Sequence, residues 1–389
     1  MIESYRAAFN AAFTPERYTN FQRLLTERCG VPIPFRCAET PCFFEAATLE
    51  AMTSAGNELI AQLLGNEGYL AQATQAIPEA FRVPGTDPAP LFVQADFGLD
   101  EHLQPKLVEI QGFPSLYAFQ PALAEAYHAA FGLEGSLSAF LEPQSRAQYD
   151  AVLSQALCNG HDPREVFLLE VAPRTQKTLP DFTLTEQCYG VRTLDVQTVT
   201  KRGKQLFAPD GTPVKRLYNR VIVDEVVRKN ITLPFDFRDE LEVEWAGHPN
   251  WYFLVSKFSL PFLDHPSVPK TQFLSDVTAL PKNLEDYVLK PLFSFAGLGV
   301  KIGPTKAEIA EVADPTQWIL QERVNFIPTI ETPEGPTKVE VRIMFVRVGE
   351  HYTAMTALLR LGRGKMLGVD HNRDATWIGA SAAFIVPGA

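Results

Sequence analysis

Up to about residue 83, apolar positions recur at helical spacing. Residues 18–28 and 45–64 place them three and four apart, and the second run is rich in Ala, Leu and Glu. Residues 1–14 read as a further helix carrying Glu3 and Arg6. The stretch Val83-Pro84-Gly85-Thr86-Asp87-Pro88-Ala89-Pro90 breaks both helix and strand and marks a boundary. Beyond it the period shortens to two. Residues 91–96 and 106–111 predict strands joined by a polar loop, and 121–133 return to helix. From about residue 160, strands and helices alternate. Strands are expected at 166–171, 287–291, 318–322 and 339–348, and at 197–207 and 214–223 around the turn Pro209-Asp210-Gly211-Thr212. The class expected is α+β.

Composition narrows the partners. The chain has 389 residues, 46% of them hydrophobic, and a net charge of −11. Basic clusters are short, as in Lys201-Arg202-Gly203-Lys204, so no nucleic acid is expected. No apolar run approaches the ~20 residues that span a bilayer, and the start lacks the pattern of a signal peptide, so a cytoplasmic protein with no membrane association is expected. Five cysteines without a CxxC pair read as free thiols. The seven histidines form no HxH or HExxH, and there is no GxSxG and no Walker A motif.

Two stretches carry candidate chemistry. The first runs from Tyr287 through Lys290 to Ser294-Phe295-Ala296-Gly297-Leu298-Gly299: an apolar strand bearing a lysine, then a small-residue loop that lets backbone N–H groups approach phosphate. The run equally suits a hairpin with a solvated lysine. Then follow Gln321-Glu322-Arg323-Val324 at the end of a strand, Arg342 in an alternating strand, and Arg360 in Leu359-Arg360-Leu361. Two arginines on neighbouring strands suit a transferring phosphoryl group. The second stretch is Gln94-Ala95-Asp96, then Glu109-Ile110-Gln111. Glu109 and Gln111 alternate, so both project from one face, and with Asp96 they offer three oxygen donors of the kind Mg²⁺ accepts. A solvated strand face would show the same pattern.

The order of these stretches resembles a circularly permuted ATP-grasp protein of the glutathionylspermidine-synthase-like group, without the amidase domain. In that group the metal-binding strands come first, as Arg-x-Asp and then Glu-x-Asn. Here Asp96 and Glu109 match, Gln111 replaces the asparagine, and Gln94 stands in the arginine position. Val255-Ser256-Lys257-Phe258 resembles the stretch in which a helix lysine contacts ATP, and Leu217-Tyr218-Asn219-Arg220 resembles a Tyr-x-Arg segment. Leu359-Arg360 through Asn372, with His371, resembles the closing arginine strand and polar loop.

The resemblance implies mixed and antiparallel sheets flanked by helices. The residue spacing gives a helical N-terminal region over 1–85, which the resemblance does not cover, and the resemblance implies a permuted ATP-grasp region over 86–389. Metal-binding strands would fall at 90–120, a central α/β part at 121–255 and a nucleotide-binding part at 256–389. It implies an ATP- and Mg²⁺-dependent ligase joining a small-molecule carboxylate and an amine through an acylphosphate. Arg360 and Arg342 would act on the phosphoryl group. Lys257, Lys290, Gln321, Glu322 and Val324 would bind the nucleotide, and Asp96, Glu109 and Gln111 the metal. A phosphotransferase on the same fold, or a degenerate nucleotide-binding scaffold, would carry the same motifs. If the permuted order is meaningful, the strands of Asp96, Glu109 and Gln111 share one sheet with those of Arg342 and Arg360.

Overall fold

The computed structural model describes residues 2–143, 145–294, 297–364, 367 and 375–388. Its helices begin with α1 (Glu3–Ala12), α2 (Pro15–Cys29), α3 (Ala46–Leu64), α4 (Glu67–Ala76), α5 (Phe119–Phe131), α6 (Arg146–Cys158) and α7 (Leu179–Tyr189). The first strands are β1 (Cys42–Glu45), β2 (Phe92–Leu99), β3 (Pro105–Gln111), β4 (Val166–Glu170) and β5 (Arg192–Asp195). Then come β6 (Thr200–Arg202), β7 (Gln205–Phe207), β8 (Pro213–Val214), β9 (Arg216–Asn219) and β10 (Glu244–Trp245). The C-terminal part adds β11 (Thr271–Phe273), β12 (Tyr287–Pro291), β13 (Lys301–Ile302), β14 (Trp318–Glu322), β15 (Lys338–Val348), β16 (His351–Gly362) and β17 (Gly379–Val386).

Strict alternation makes β15 and β16 the centre of a six-stranded sheet, ordered β1-β17-β16-β15-β2-β3. The strands of Asp96, Glu109 and Gln111 do share this sheet with those of Arg342 and Arg360. Val341, Ile343 and Phe345 of β15 face one side and pack with Leu49, Met52 and Leu59 of α3. Met344 and Val346 face the other side, with Phe21 and Leu25 of α2 and Leu123 and Tyr127 of α5. On that second side the apolar positions stop part-way along the strands. Asp96, Glu340, Arg342 and Arg360 take over on the same alternation, and the helices give way to a cleft.

A parallel four-stranded sheet, β10-β9-β4-β5, and an antiparallel one, β11-β14-β12-β13, complete the α+β fold together with the small β6-β7-β8 sheet. The antiparallel sheet lies across from β3: Lys290 Nζ donates to Val108 O at 2.9 Å. The N-terminal 85 residues are mostly helical, but β1 inside them pairs in parallel with β17 and joins the large sheet.

Two strand expectations need correction. Residues 197–207 are not one strand: the chain folds back at Gly203, whose φ is +63°, so β6 and β7 form a hairpin. Residues 214–223 also divide. β8 ends at Val214, and β9 leaves to pair in parallel with β4, burying all four of its side chains. A helix, Val223–Arg228, then begins.

Candidate active site

The polar half of the sheet is built from two cross-strand rows. In one, Glu109 of β3 stands opposite Asp96 of β2, Asp96 opposite Arg342 of β15, and Arg342 opposite Leu358 of β16. In the next, Gly98 stands opposite Glu340, Glu340 opposite Arg360, and Arg360 opposite Ala380 of β17. Sheet pairing alone therefore gathers three carboxylates and two guanidiniums on one surface.

Asp96 is the hub. Its side chain is 2% exposed and accepts from Arg342 Nε at 2.5 Å and Nη2 at 2.6 Å, and from Arg360 Nη2 at 2.6 Å. Burial alone would raise its carboxyl, but Arg342 and Arg360 outweigh burial and hold it below the usual aspartate range. Arg360 also reaches Glu340 at 3.2 Å. Glu340 is buried, and burial, with the charges of Asp96 and Glu109 adding to it, raises its carboxyl. Gln94, which stands where the resemblance places an arginine, is fully buried. It donates to Ser115 O at 2.8 Å and accepts from Arg342 Nη1 at 3.0 Å. Arg342, from the neighbouring strand, places a cation beside Asp96.

Two lysines face these rows from the opposite side. Lys257 opens a 3-10 turn, Lys257–Phe262, fixed by Ser256 N donating to Ser259 Oγ and Phe258 N donating to Ser256 Oγ. Its Nζ lies 2.8 Å from Ser294 O and 3.3 Å from Glu109 Oε1. Lys290, on β12, donates to Gln321 Oε1 at 2.6 Å, and Gln321 Nε2 donates to Thr271 Oγ1 at 3.0 Å. Burial lowers the Lys290 ammonium to about 8, against the opposing pull of Glu109. A buried lysine whose hydrogen-bond acceptors, Val108 O and Gln321 Oε1, are both neutral gains from an anionic ligand.

Between the two sheets lies a cavity of about 620 Å³. Asp96, Glu109, Gln111, Lys257, Lys290, Gln321, Val324, Arg342 and Arg360 all line it, so nine of the ten residues singled out in the sequence converge. Glu322 does not join them. Alternation turns Gln321 inward and Glu322 outward, onto a separate cavity of about 370 Å³ beside Lys270 and Tyr287. Phe295, Ala296 and residues 368–372, including His371, lie outside the described residues.

No family model matches the chain, and no curated protein does. What the cleft can do is therefore a question of its chemistry.

Lys257, Lys290, Arg323, Lys338, Arg342 and Arg360 face only Asp96, Glu109 and Glu340 among the described lining residues, an excess of cations that suits a polyanion. Sequence reading missed Glu340, although Lys338-Val339-Glu340-Val341-Arg342 puts it on the face of Arg342. It also missed Phe326, for which nothing local signals a role. Whether the donors suit Mg²⁺ turns on Asp96, both of whose oxygens are engaged by arginines. Among the described residues no three His, Cys, Asp or Glu side chains form a ready metal group. Glu109 and Gln111 do face the cleft. Burial is the main cause that raises Glu340, and a cation in the cleft would relieve the smaller part that comes from Asp96 and Glu109. Glu109 and Gln111 on β3 are thus the lining donors left open to a cation, with Asp96 beside Glu109 but held by the two arginines.

The five cysteines are free thiols, four of them buried. Among the described residues no helix is long and apolar enough to cross a membrane.

Proposed function

We propose that the protein is an ATP-dependent carboxylate–amine ligase of the permuted ATP-grasp kind, working through an acylphosphate. The observation that carries this reading is the facing of Lys290 on the antiparallel sheet, with Lys257 on the 3-10 turn beside it, by the Asp96–Arg342–Arg360 cluster on the large sheet, across one cleft. That arrangement has cations for bound phosphates on one wall and cations for a moving phosphoryl group on the other.

ATP enters as a substrate, its phosphates against Lys257 and Lys290. A carboxylate oxygen of the second substrate attacks the γ-phosphorus. The bond from that phosphorus to the β–γ bridging oxygen breaks, and ADP leaves with the electron pair. Arg342 and Arg360, held in place by Asp96 and Glu340, receive the charge that spreads onto the phosphoryl oxygens. The amine nitrogen then attacks the acyl carbon, the carbon–oxygen bond breaks, inorganic phosphate leaves, and the nitrogen gives up a proton. Mg²⁺, which Glu109 and Gln111 beside Asp96 would hold, would offset phosphate charge. No protein nucleophile is needed.

One observation favours a second reading, a nucleotide-binding scaffold: both arginines are committed to Asp96. Calorimetric titration with a non-hydrolysable ATP analogue and Mg²⁺, followed by ADP release with acid and amine, separates the readings. The ligase requires analogue binding that Lys257→Met weakens, and ADP release that depends on acid and is lost in Glu109→Gln. ADP release that needs acid but gains nothing from amine would indicate a phosphotransferase. Binding with no ADP release under any acid would leave the scaffold, and no binding at all would end the reading.

A further inference from the structure

Beyond Arg360 the charged rows stop. Their continuation on β17 is Ala382, opposite Leu358, and Ala380, opposite Arg360. Outside β17 the segment after Phe35 runs alongside: Ala380 N donates to Arg36 O at 2.9 Å, and Ala38 N to Ala380 O at 2.8 Å. This approach depends on glycine at 379, whose φ is +119° and where a Cβ would lie 2.5 Å from Arg36 O. The cavity beside the arginines is therefore walled by Phe35, Leu116, Leu358 and Ala380, with Ser115 and Thr178 as its polar members. None of these six carries a charge.

Phe35 belongs to two cavities. It also lines a second one, of about 650 Å³, with Tyr18, Phe21, Leu25 and Pro34 from the N-terminal helices and the loop after them. Thr178 lines the first cavity and its neighbour Lys177 the second, so the two spaces adjoin at Phe35.

We propose that the acid activated in this cleft is an elongated monocarboxylic acid with an uncharged, mainly hydrocarbon chain. The proposal rests on the ligase reading of the same cleft. The carboxylate meets Arg342 and Arg360, while the chain lies along Leu358, Leu116 and Ala380 and turns at Phe35 toward the N-terminal cavity. An acid with a polyamine tail is disfavoured on this wall, because its cations would lose their hydration and, among the described residues, meet only the cations Arg36 and Lys177 of the second cavity. Each methylene buried there should tighten binding about fourfold.

The test combines two measurements. ADP release is followed with Mg-ATP, hydroxylamine as the amine, and straight-chain acids from acetate to dodecanoate, beside charged dipeptides. Decanoate binding without nucleotide is followed by calorimetry. The expected result is a KM that falls about fourfold per methylene through the middle of the series, and a decanoate Kd raised at least ~10-fold by Phe35→Glu or Leu358→Glu, as loss of a few methylenes' burial implies. Phe35 is on a partly exposed loop, so its variant stays informative if the buried Leu358→Glu does not fold. Decanoate binding that responds to Phe35→Glu without any ADP release would keep this inference and defeat the ligase. ADP release driven by dipeptides with a flat response to chain length would keep the ligase and overturn this inference. Failure of decanoate to bind overturns it whatever the nucleotide does.

Discussion

Arg360 stands directly opposite Glu340 across the β15–β16 pair and donates to Asp96 as well, so one guanidinium is held by two buried carboxylates. Burial works against its charge, but Glu340 and Asp96 outweigh that cost and raise it above the usual arginine value. A cation pinned from two sides needs little reorganisation when charge develops beside it. The arrangement sets Asp96 between the two guanidiniums, where it fixes the position of both.

Asp96→Asn should therefore be costly. It leaves two partly buried guanidiniums, with Glu340 reaching Arg360 alone, so the loss should approach the roughly 3–5 kcal/mol of a broken buried pair. Urea unfolding measures it, and a loss well under about 1 kcal/mol would show the cluster to be solvated like a surface ion pair. The sign with pH follows from the lowered Asp96 carboxyl. Its contribution is present above the ordinary aspartate value of 3.8 and is lost as pH falls through the folded value. Asn at this position should flatten that part of the acid profile.

Lys290 makes the opposite pH prediction. Its folded value of about 8 lies below the ordinary lysine value of 10.5, so between the two the unfolded chain binds more protons and stability gains as pH rises. An ATP analogue placed on Lys290 restores its proton. Calorimetry at pH 8 in buffers of different ionisation enthalpy should show net proton uptake on binding, absent in Lys290→Met. Equal uptake in the variant would remove Lys290 from the phosphate site.

Gly98 and Phe326 should behave as a unit. A Cβ at 98 would lie 1.4 Å from Phe326 Cε1, so Gly98→Ala must push the ring aside. Phe326 lines the cleft. Both Gly98→Ala and Phe326→Ala should weaken binding of the ATP analogue, and the double variant should be no weaker than Phe326→Ala alone, because the two losses are the same loss. Full additivity would mean the ring has another task.

The sequence showed the strands of the site well and its partners poorly. Period-two alternation located β12 and β14 to the residue and placed Arg342 and Arg360 on neighbouring strands, because a half-polar strand announces both its extent and its polar face. The same alternation contained Glu340, which a stricter reading of that face would have found. It also separates Gln321 from Glu322, which the resemblance groups as nucleotide-binding residues. Nothing local could show that Asp96 meets two arginines 246 and 264 residues away, since that contact is made by the order of strands in the sheet. Phe35, Leu116 and Thr178 carry no periodic or motif signal. They reach the cleft because β17 and helix α7 bring distant segments to its end. The hairpin at Gly203 was hidden for a similar reason, since a charged turn in Lys201-Arg202-Gly203-Lys204 reads as strand when only β-branched and apolar residues are counted on either side.

The central claim is that a carboxylate oxygen attacks the γ-phosphorus of ATP in the cleft between Lys290 and Arg360. It is tested most directly by the fate of that oxygen. With decanoate labelled with oxygen-18 in its carboxylate, Mg-ATP and hydroxylamine, the inorganic phosphate released should carry one labelled oxygen, seen as an isotope shift by phosphorus NMR, with no label entering from water. Phosphate that takes its new oxygen from the solvent, or no nucleotide bound and no phosphate released with any acid, would contradict the account.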